Sequence, residues 1–125
     1  MRELSHQSYN LLCLEAVYES DNSIYIVLEL LEGKNLYEIM KEKSGNFSLD
    51  EVRVIMKGLL QGIKCMGEKM IMHRDLKPEN IMFRAQNLTT PETYEPVIVD
   101  FGLAARSDRV PYLFYRCGTP GFVAP

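Results

Sequence analysis

With 125 residues, 46% of them hydrophobic and 25% charged, the chain has material for one small core and the composition of an ordinary globular protein. A net charge of −3 gives no basic field, so neither nucleic acid nor an anionic membrane is an expected partner. Cys13, Cys65 and Cys117 lie far apart and form no CxxC pair, and neither His6 nor His73 stands beside one, which fits reduced thiols better than a disulfide framework or a zinc site. The start, Met1 to His6, lacks the apolar run of a signal peptide, and the longest clean apolar run, Ile24 to Leu28, is too short to cross a bilayer. The expectation is an intracellular, cytoplasmic chain.

In chain order, Leu11 to Tyr18 is apolar and strand-like, and Ser20-Asp21-Asn22-Ser23 supplies turn chemistry. Ser23 to Leu31, rich in Ile, Val, Leu and Tyr, completes a hairpin. After Gly33, Asn35 with Glu38 three residues later predicts a capped helix ending near Lys43, with Leu36, Ile39 and Met40 on one face. Ser44-Gly45-Asn46 stops it. Ser48 with Glu51 predicts a second cap, and Phe47 with Val52 a hydrophobic staple. Leu49, Val52, Ile55, Met56, Leu59, Leu60, Ile63 and Met66 then form one apolar stripe at helical spacing, read as core. Ile81-Met82-Phe83 and Val97-Ile98-Val99 read as short strands around a polar loop, 84–96. From Asp100 onward periodicity fades into an extended segment.

Polar chemistry gathers in two places, His73-Arg74-Asp75-Leu76-Lys77-Pro78-Glu79-Asn80 and Asp100-Phe101-Gly102. An aspartate and an asparagine five apart on a tight loop can face one site, and an Asp-Phe-Gly at the end of a buried strand can add a second carboxylate. Phosphoryl transfer needs such a set. One carboxylate orients a hydroxyl and accepts its proton, oxygen ligands hold magnesium, and a lysine offsets the transferring charge. Oxygen ligands without histidine suit magnesium rather than zinc or iron.

HRDLKPEN, then DFG with its aspartate 25 positions after Asp75, then CGTPGFVAP, resembles the core signature of eukaryotic protein kinases, of the serine/threonine type. The resemblance covers essentially the whole chain. It implies an α+β, protein-kinase-like two-lobe fold, present in part: the end of helix C, N-lobe strands 4 and 5, the hinge, helices D and E, the catalytic loop, strands 7 and 8, and the activation segment. Residues 1–28 would be a remnant of the N-lobe, 29–34 the hinge and 35–125 the first part of the C-lobe. Asp75 would be the catalytic base and Lys77 would steady the γ-phosphate of ATP. Asn80 and Asp100 would hold Mg2+ and, through it, the nucleotide. Leu28 would be the gatekeeper, the backbones of Glu29 and Leu31 would meet adenine, and Met82 would lie under the ring. Phe101 and His73 would pack together, and Arg74 would anchor the activation segment. Lys77 with Thr119 is the serine/threonine pattern, so the expected partner is a protein bearing Ser or Thr. The wording of CGTPGFVAP is most similar to the calcium/calmodulin-dependent group, though no EF-hand loop or calmodulin-binding helix lies within these residues.

The chain also departs from the family pattern. It contains no glycine-rich loop, no strand lysine and no helix C glutamate, and it stops one residue short of the glutamate of Ala-Pro-Glu. The expectation is a fragment with exposed apolar faces and a strand edge, poorly folded and inactive alone. Position 35 is Asn where many such kinases carry Glu or Asp, while Glu79 keeps one acidic contact for a basic substrate residue. No Ser or Thr lies between Ser107 and Thr119, leaving Arg74 without a phosphothreonine; Tyr112 and Tyr115 read as exposed packing tyrosines. Two alternatives stay open: a pseudokinase or docking fragment that acts by protein binding, and a small-molecule phosphotransferase, against which Lys77 and the Gly-Thr-Pro turn argue. A regulatory domain or partner outside these residues also stays open.

Overall fold

The computed structural model describes residues 3–111 and 115–123, whose regular elements are two α-helices, three strand pairs and three single 3₁₀ turns. The readings made for Met1, Tyr112, Ala124 and Pro125 lie outside the described residues.

Strand β1 (Leu14–Ser20) pairs antiparallel with β2 (Ser23–Leu28), Leu14 opposite Leu28 and Ser20 opposite Ser23. The Asp21-Asn22 loop between them has the two-residue length and small polar residues that suit a tight hairpin. Leu11 and Leu12, expected to open the first strand, run elsewhere. Ile98 N–H donates to the Asn10 carbonyl at 2.9 Å and Leu12 N–H to the Ile98 carbonyl at 3.1 Å. The apolar Leu11 side chain is thereby buried in the core, which a continued hairpin would not allow. The helix end expected ahead of the hairpin is turns over residues 3–7. His6, at φ 58°, is left-handed and cannot extend a helix.

Both capping boxes form. Around α1 (Leu36–Glu42), Asn35 Oδ1 accepts from Glu38 N–H at 2.9 Å and Glu38 Oε2 from Asn35 N–H at 2.9 Å. Around α2 (Leu49–Glu68), the Ser48 and Glu51 bonds are 3.2 and 2.7 Å. Each box satisfies two N–H groups that the first turn would leave orphaned.

The apolar stripe of α2 splits lengthwise. Ile55, Leu59 and Met66 are buried, whereas Leu49 is 81% exposed and Leu60 58%. Between the buried residues lie Gly58 and Gly62, where β5 (Pro96–Ile98) presses on the helix. A Cβ at Gly58 would stand 2.6 Å from Pro96 Cγ, and one at Gly62 3.0 Å from Ile98 Cδ1. Two helix-weakening glycines thus let a strand approach to backbone distance.

Three short strands complete the frame. β3 (Ile71–Met72) pairs with β6 (Ala105–Arg106), and β4 (Ile81–Phe83) with β5. The segment after Asp100 is not wholly extended: Phe101–Leu103 is a single 3₁₀ turn ahead of β6. Phe83, Val97 and Ile98 are fully buried, so the β4–β5 pair is the anchor from which the polar loops at its ends project.

Candidate active site

The antiparallel register Ile81 opposite Ile98 brings the loop before β4 and the loop after β5 to one end of the sheet. Val99 N–H donates to the Asn80 carbonyl at 3.0 Å, so Asn80 and Asp100 leave that end one position apart in register. The loop itself is closed locally. Pro78 opens a 3₁₀ turn, and Asn80 Nδ2 reaches back to the Asp75 carbonyl at 2.8 Å.

Four donors converge on the Asp75 carboxylate. Oδ1 accepts the Thr119 hydroxyl at 2.7 Å and the Thr119 N–H at 2.9 Å. Oδ2 accepts Asn80 Nδ2 at 3.1 Å and faces Lys77 Nζ at 3.1 Å. Lys77 also donates to Thr119 Oγ1 at 2.7 Å. The Thr119 hydroxyl bond above all, then Lys77, outweighs burial and holds the Asp75 carboxyl below its ordinary value. At neutral pH it is an oriented, ionised acceptor. Asn80 spends its amide hydrogens on Asp75, and its side-chain oxygen has no partner among the described residues.

His73 braces this loop from beneath. It is buried, its Nε2 lies 2.8 Å from the Val99 carbonyl, and Asp75 N–H donates to its Nδ1 at 3.3 Å. Both bonds are satisfied by the tautomer protonated on Nε2. Its ring meets Phe101 edge-on at 5.0 Å, as the sequence led us to expect. Arg74 Nε donates to the Leu103 carbonyl at 2.6 Å, tying the loop to the segment after Asp100.

Asp100 is exposed and left-handed at φ 59°, ψ 73°, with Oδ1 accepting Gly102 N–H at 3.2 Å. A short polar side chain that bonds its own turn tolerates this backbone. Among the described residues no bond joins Asp100 to Asp75, Lys77 or Asn80, and no group of three or more His, Cys, Asp or Glu could hold a metal by itself. One free amide oxygen and one exposed carboxylate fit magnesium, which takes few protein oxygens and keeps water and phosphate for the rest.

The second set of expected residues lies along another edge. Glu32 N–H and Gly33 N–H donate to the carbonyls of Arg84 and Phe83 at 3.3 and 3.1 Å, so the segment after β2 runs beside β4. Asn35 forms a bridge with Met82. Leu28 is half-exposed, and the Leu31 N–H and the Glu29 carbonyl take no partner among the described residues. The Glu29 side chain is bound on both sides, by Cys13 N–H at 2.7 Å and by Arg84. Burial raises the Glu29 carboxyl, but these bonds outweigh it and hold the group below its ordinary value.

Across residues 1–125 the chain matches the protein kinase domain. The chain belongs to the protein kinase family. Over 126 aligned residues it is 37% identical to a protein of Dictyostelium discoideum described as a probable serine/threonine-protein kinase fhkC. All of this chain and 20% of that protein are covered, so the chain spans about one fifth of the relative's length.

Within this kinase domain, Asp75, Lys77 and Asn80 form one bonded cluster, and among the described residues no bond joins Asp100 or residues 28–31 to it. In the sequence Thr119 stands out only through the family pattern; its two bonds to Asp75 bridge 44 positions with no local signal beyond Gly-Thr-Pro. The sequence marks Glu29 for its backbone alone and assigns no role to its side chain. Its partner Arg84 lies 55 positions away and gave no signal.

Proposed function

We propose that these residues carry the catalytic loop, metal ligands and hinge of an ATP-dependent serine/threonine protein kinase. Residues 1–28 serve as N-lobe remnant, 29–34 as hinge and 35–125 as the first part of the C-lobe. The observation that carries the reading is the Asp75 carboxylate, ionised and aimed by Thr119, Lys77 and Asn80. Asp75 orients the Ser or Thr hydroxyl of a protein substrate and accepts its proton. Lys77, already paired to Asp75, is placed to offset charge on the transferred phosphoryl group. Asn80 through its free amide oxygen and Asp100 through its exposed carboxylate hold Mg2+, which when bound neutralises the phosphates of ATP. Leu28 borders the base pocket as gatekeeper. The Glu29 carbonyl and Leu31 N–H receive the adenine edge, and Met82 supports its face.

The glycine-rich loop and strand lysine that cover the phosphates in the family are not among these residues. We therefore expect the isolated 125-residue chain to show little or no turnover, and the activity to belong to a longer protein acting in the cytoplasm. The test is phosphorylation of a generic protein substrate by the full-length protein with Mg2+ and ATP. Turnover that Asp75→Asn abolishes supports the reading. A full-length protein that binds ATP neither with nor without Mg2+ and transfers no phosphate would assign the domain to partner binding instead.

A further inference from the structure

The antiparallel ladder of β1 and β2 shifts register between Leu14 and Ala16 and is interrupted again where it reaches the proposed hinge. Leu14 pairs with Leu28, so the next pair is Cys13 with Glu29. Glu29 N–H donates to the Cys13 carbonyl at 3.1 Å, which is half of a regular hydrogen-bonded pair. The other half is missing. Cys13 N–H turns to the Glu29 carboxylate, 2.7 Å from Oε1, and the Glu29 carbonyl has no partner among the described residues.

A carboxylate with its side chain only 16% exposed does not take such a place unaided, because losing water costs more than one N–H returns. Arg84 supplies the difference. Its Nη1 bonds Oε2 of Glu29, and its Nη2 lies 3.4 Å from Oε1. The guanidinium is itself fixed: Nη2 donates to the Tyr9 carbonyl at 2.7 Å, and the group lies 4.1 Å over the Tyr9 ring. Tyr9 is tied in turn to Glu95 at 3.1 Å. Arg84 Nε is buried with no partner among the described residues. An orphaned donor in a largely buried pair is poor net stabilisation, and this points to a pair whose use lies in its geometry.

We propose that Arg84 is a positioning residue for nucleotide choice: by holding the Glu29 carboxylate on Cys13 N–H, it keeps the Glu29 carbonyl free to accept a hydrogen bond from the 6-amino group of adenine. This rests on the hinge reading given above. Without Arg84 the carboxylate moves to water, Cys13 N–H closes onto the Glu29 carbonyl, and the acceptor for the amino group is lost. A purine that carries a 6-carbonyl sets oxygen against that acceptor and makes no bond to it, so it has none to lose with it.

The experiment measures KM and kcat of the full-length protein for ATP and for inosine triphosphate, whose base has oxygen in place of the 6-amino group. Wild type should favour ATP. Arg84→Ala should raise KM for ATP about five- to tenfold, the worth of one hydrogen bond, with kcat for ATP and KM for inosine triphosphate little changed. Arg84→Lys keeps the attraction but not the fork and should fall between. Arg84→Met keeps a stem on the Tyr9 ring and replaces Arg84→Ala should that variant not fold. A lowered Tm with an unchanged preference for ATP would make Arg84 merely structural and overturn the proposal. A wild type that does not distinguish the two nucleotides would instead remove the hinge reading, and the proposal with it.

Discussion

The Thr119 hydroxyl donates to Oδ1 of Asp75 at 2.7 Å, so the proposed base is aimed by a residue 44 positions further along the chain. Removing that hydroxyl while keeping the side-chain shape, in Thr119→Val, leaves the N–H bond at 2.9 Å and the Lys77 contact. The carboxylate is then less stabilised, and its pKa rises toward the ordinary value. The acid limb of the kcat/KM profile should move to higher pH, with a smaller loss of kcat at neutral pH than in Asp75→Asn. The latter should lose about 10²–10⁴-fold, the usual worth of a positioned base. A limb that does not move in Thr119→Val would mean that the hydroxyl does not tune Asp75.

Metal dependence separates the two proposed ligands from the rest of the loop. Asn80→Ala removes an oxygen ligand and also two bonds to Asp75, at 2.8 and 3.1 Å. Asp100→Asn removes charge only. Both should raise the Mg2+ concentration for half-maximal rate, by about 10–100-fold, the scale known for altered metal surroundings. Only Asn80→Ala should also lower kcat at saturating Mg2+. Titration of initial rate with free Mg2+ reads both numbers, and an Asp100→Asn enzyme with unaltered Mg2+ demand would remove Asp100 from the metal site.

What the sequence reveals follows the range of each interaction. Asn35–Glu38 and Ser48–Glu51 are three-residue signals, and both boxes form as read. Asp75 to Asn80 lies within one turn of chain, so its spacing already implies convergence. The stripe of α2 marks an apolar face but not which part is covered: Leu59 is buried and Leu60 exposed because β5 lies on one side only. Two-residue partners such as Ile71–Met72 with Ala105–Arg106 have no periodicity to detect. Glu29 with Arg84 depends on tertiary placement alone.

Gly33 occupies a spot that no side chain fits. A Cβ there would lie 2.3 Å from the Phe83 carbonyl oxygen and 2.5 Å from that of Ala85, both backbone atoms that cannot swing aside. Gly33→Ala must therefore push the segment around Gly33 off β4, breaking the Gly33 N–H bond to the Phe83 carbonyl. The expected cost is about 1–3 kcal/mol of stability, with a higher KM for ATP. Denaturant titration of the full-length protein alongside ATP kinetics tests this. An unperturbed Gly33→Ala protein would show that this segment lies further from β4.

Acid sensitivity should concentrate at the junction of the two helices. Lys43 Nζ lies 2.5 Å from Glu51 Oε1, Tyr94 donates its hydroxyl to the same oxygen at 2.9 Å, and Ser48 N–H donates to Oε2 at 2.7 Å. The Lys43 bond first, then the Ser48 N–H, lower the Glu51 carboxyl from 4.5 to about 2. A carboxyl depressed in the folded state adds stability that is fully present above its unfolded pKa. The contribution fades as pH falls through 4.5 toward 2. Lys43, raised chiefly by the same bond, stays protonated throughout that window. Glu51→Gln should therefore be less stable than wild type at neutral pH, and the gap should narrow steadily as the solution is acidified below that upper value. Tm of the two full-length proteins across the acid range decides it, and a gap that stays constant would mean that Glu51 contributes through packing rather than charge.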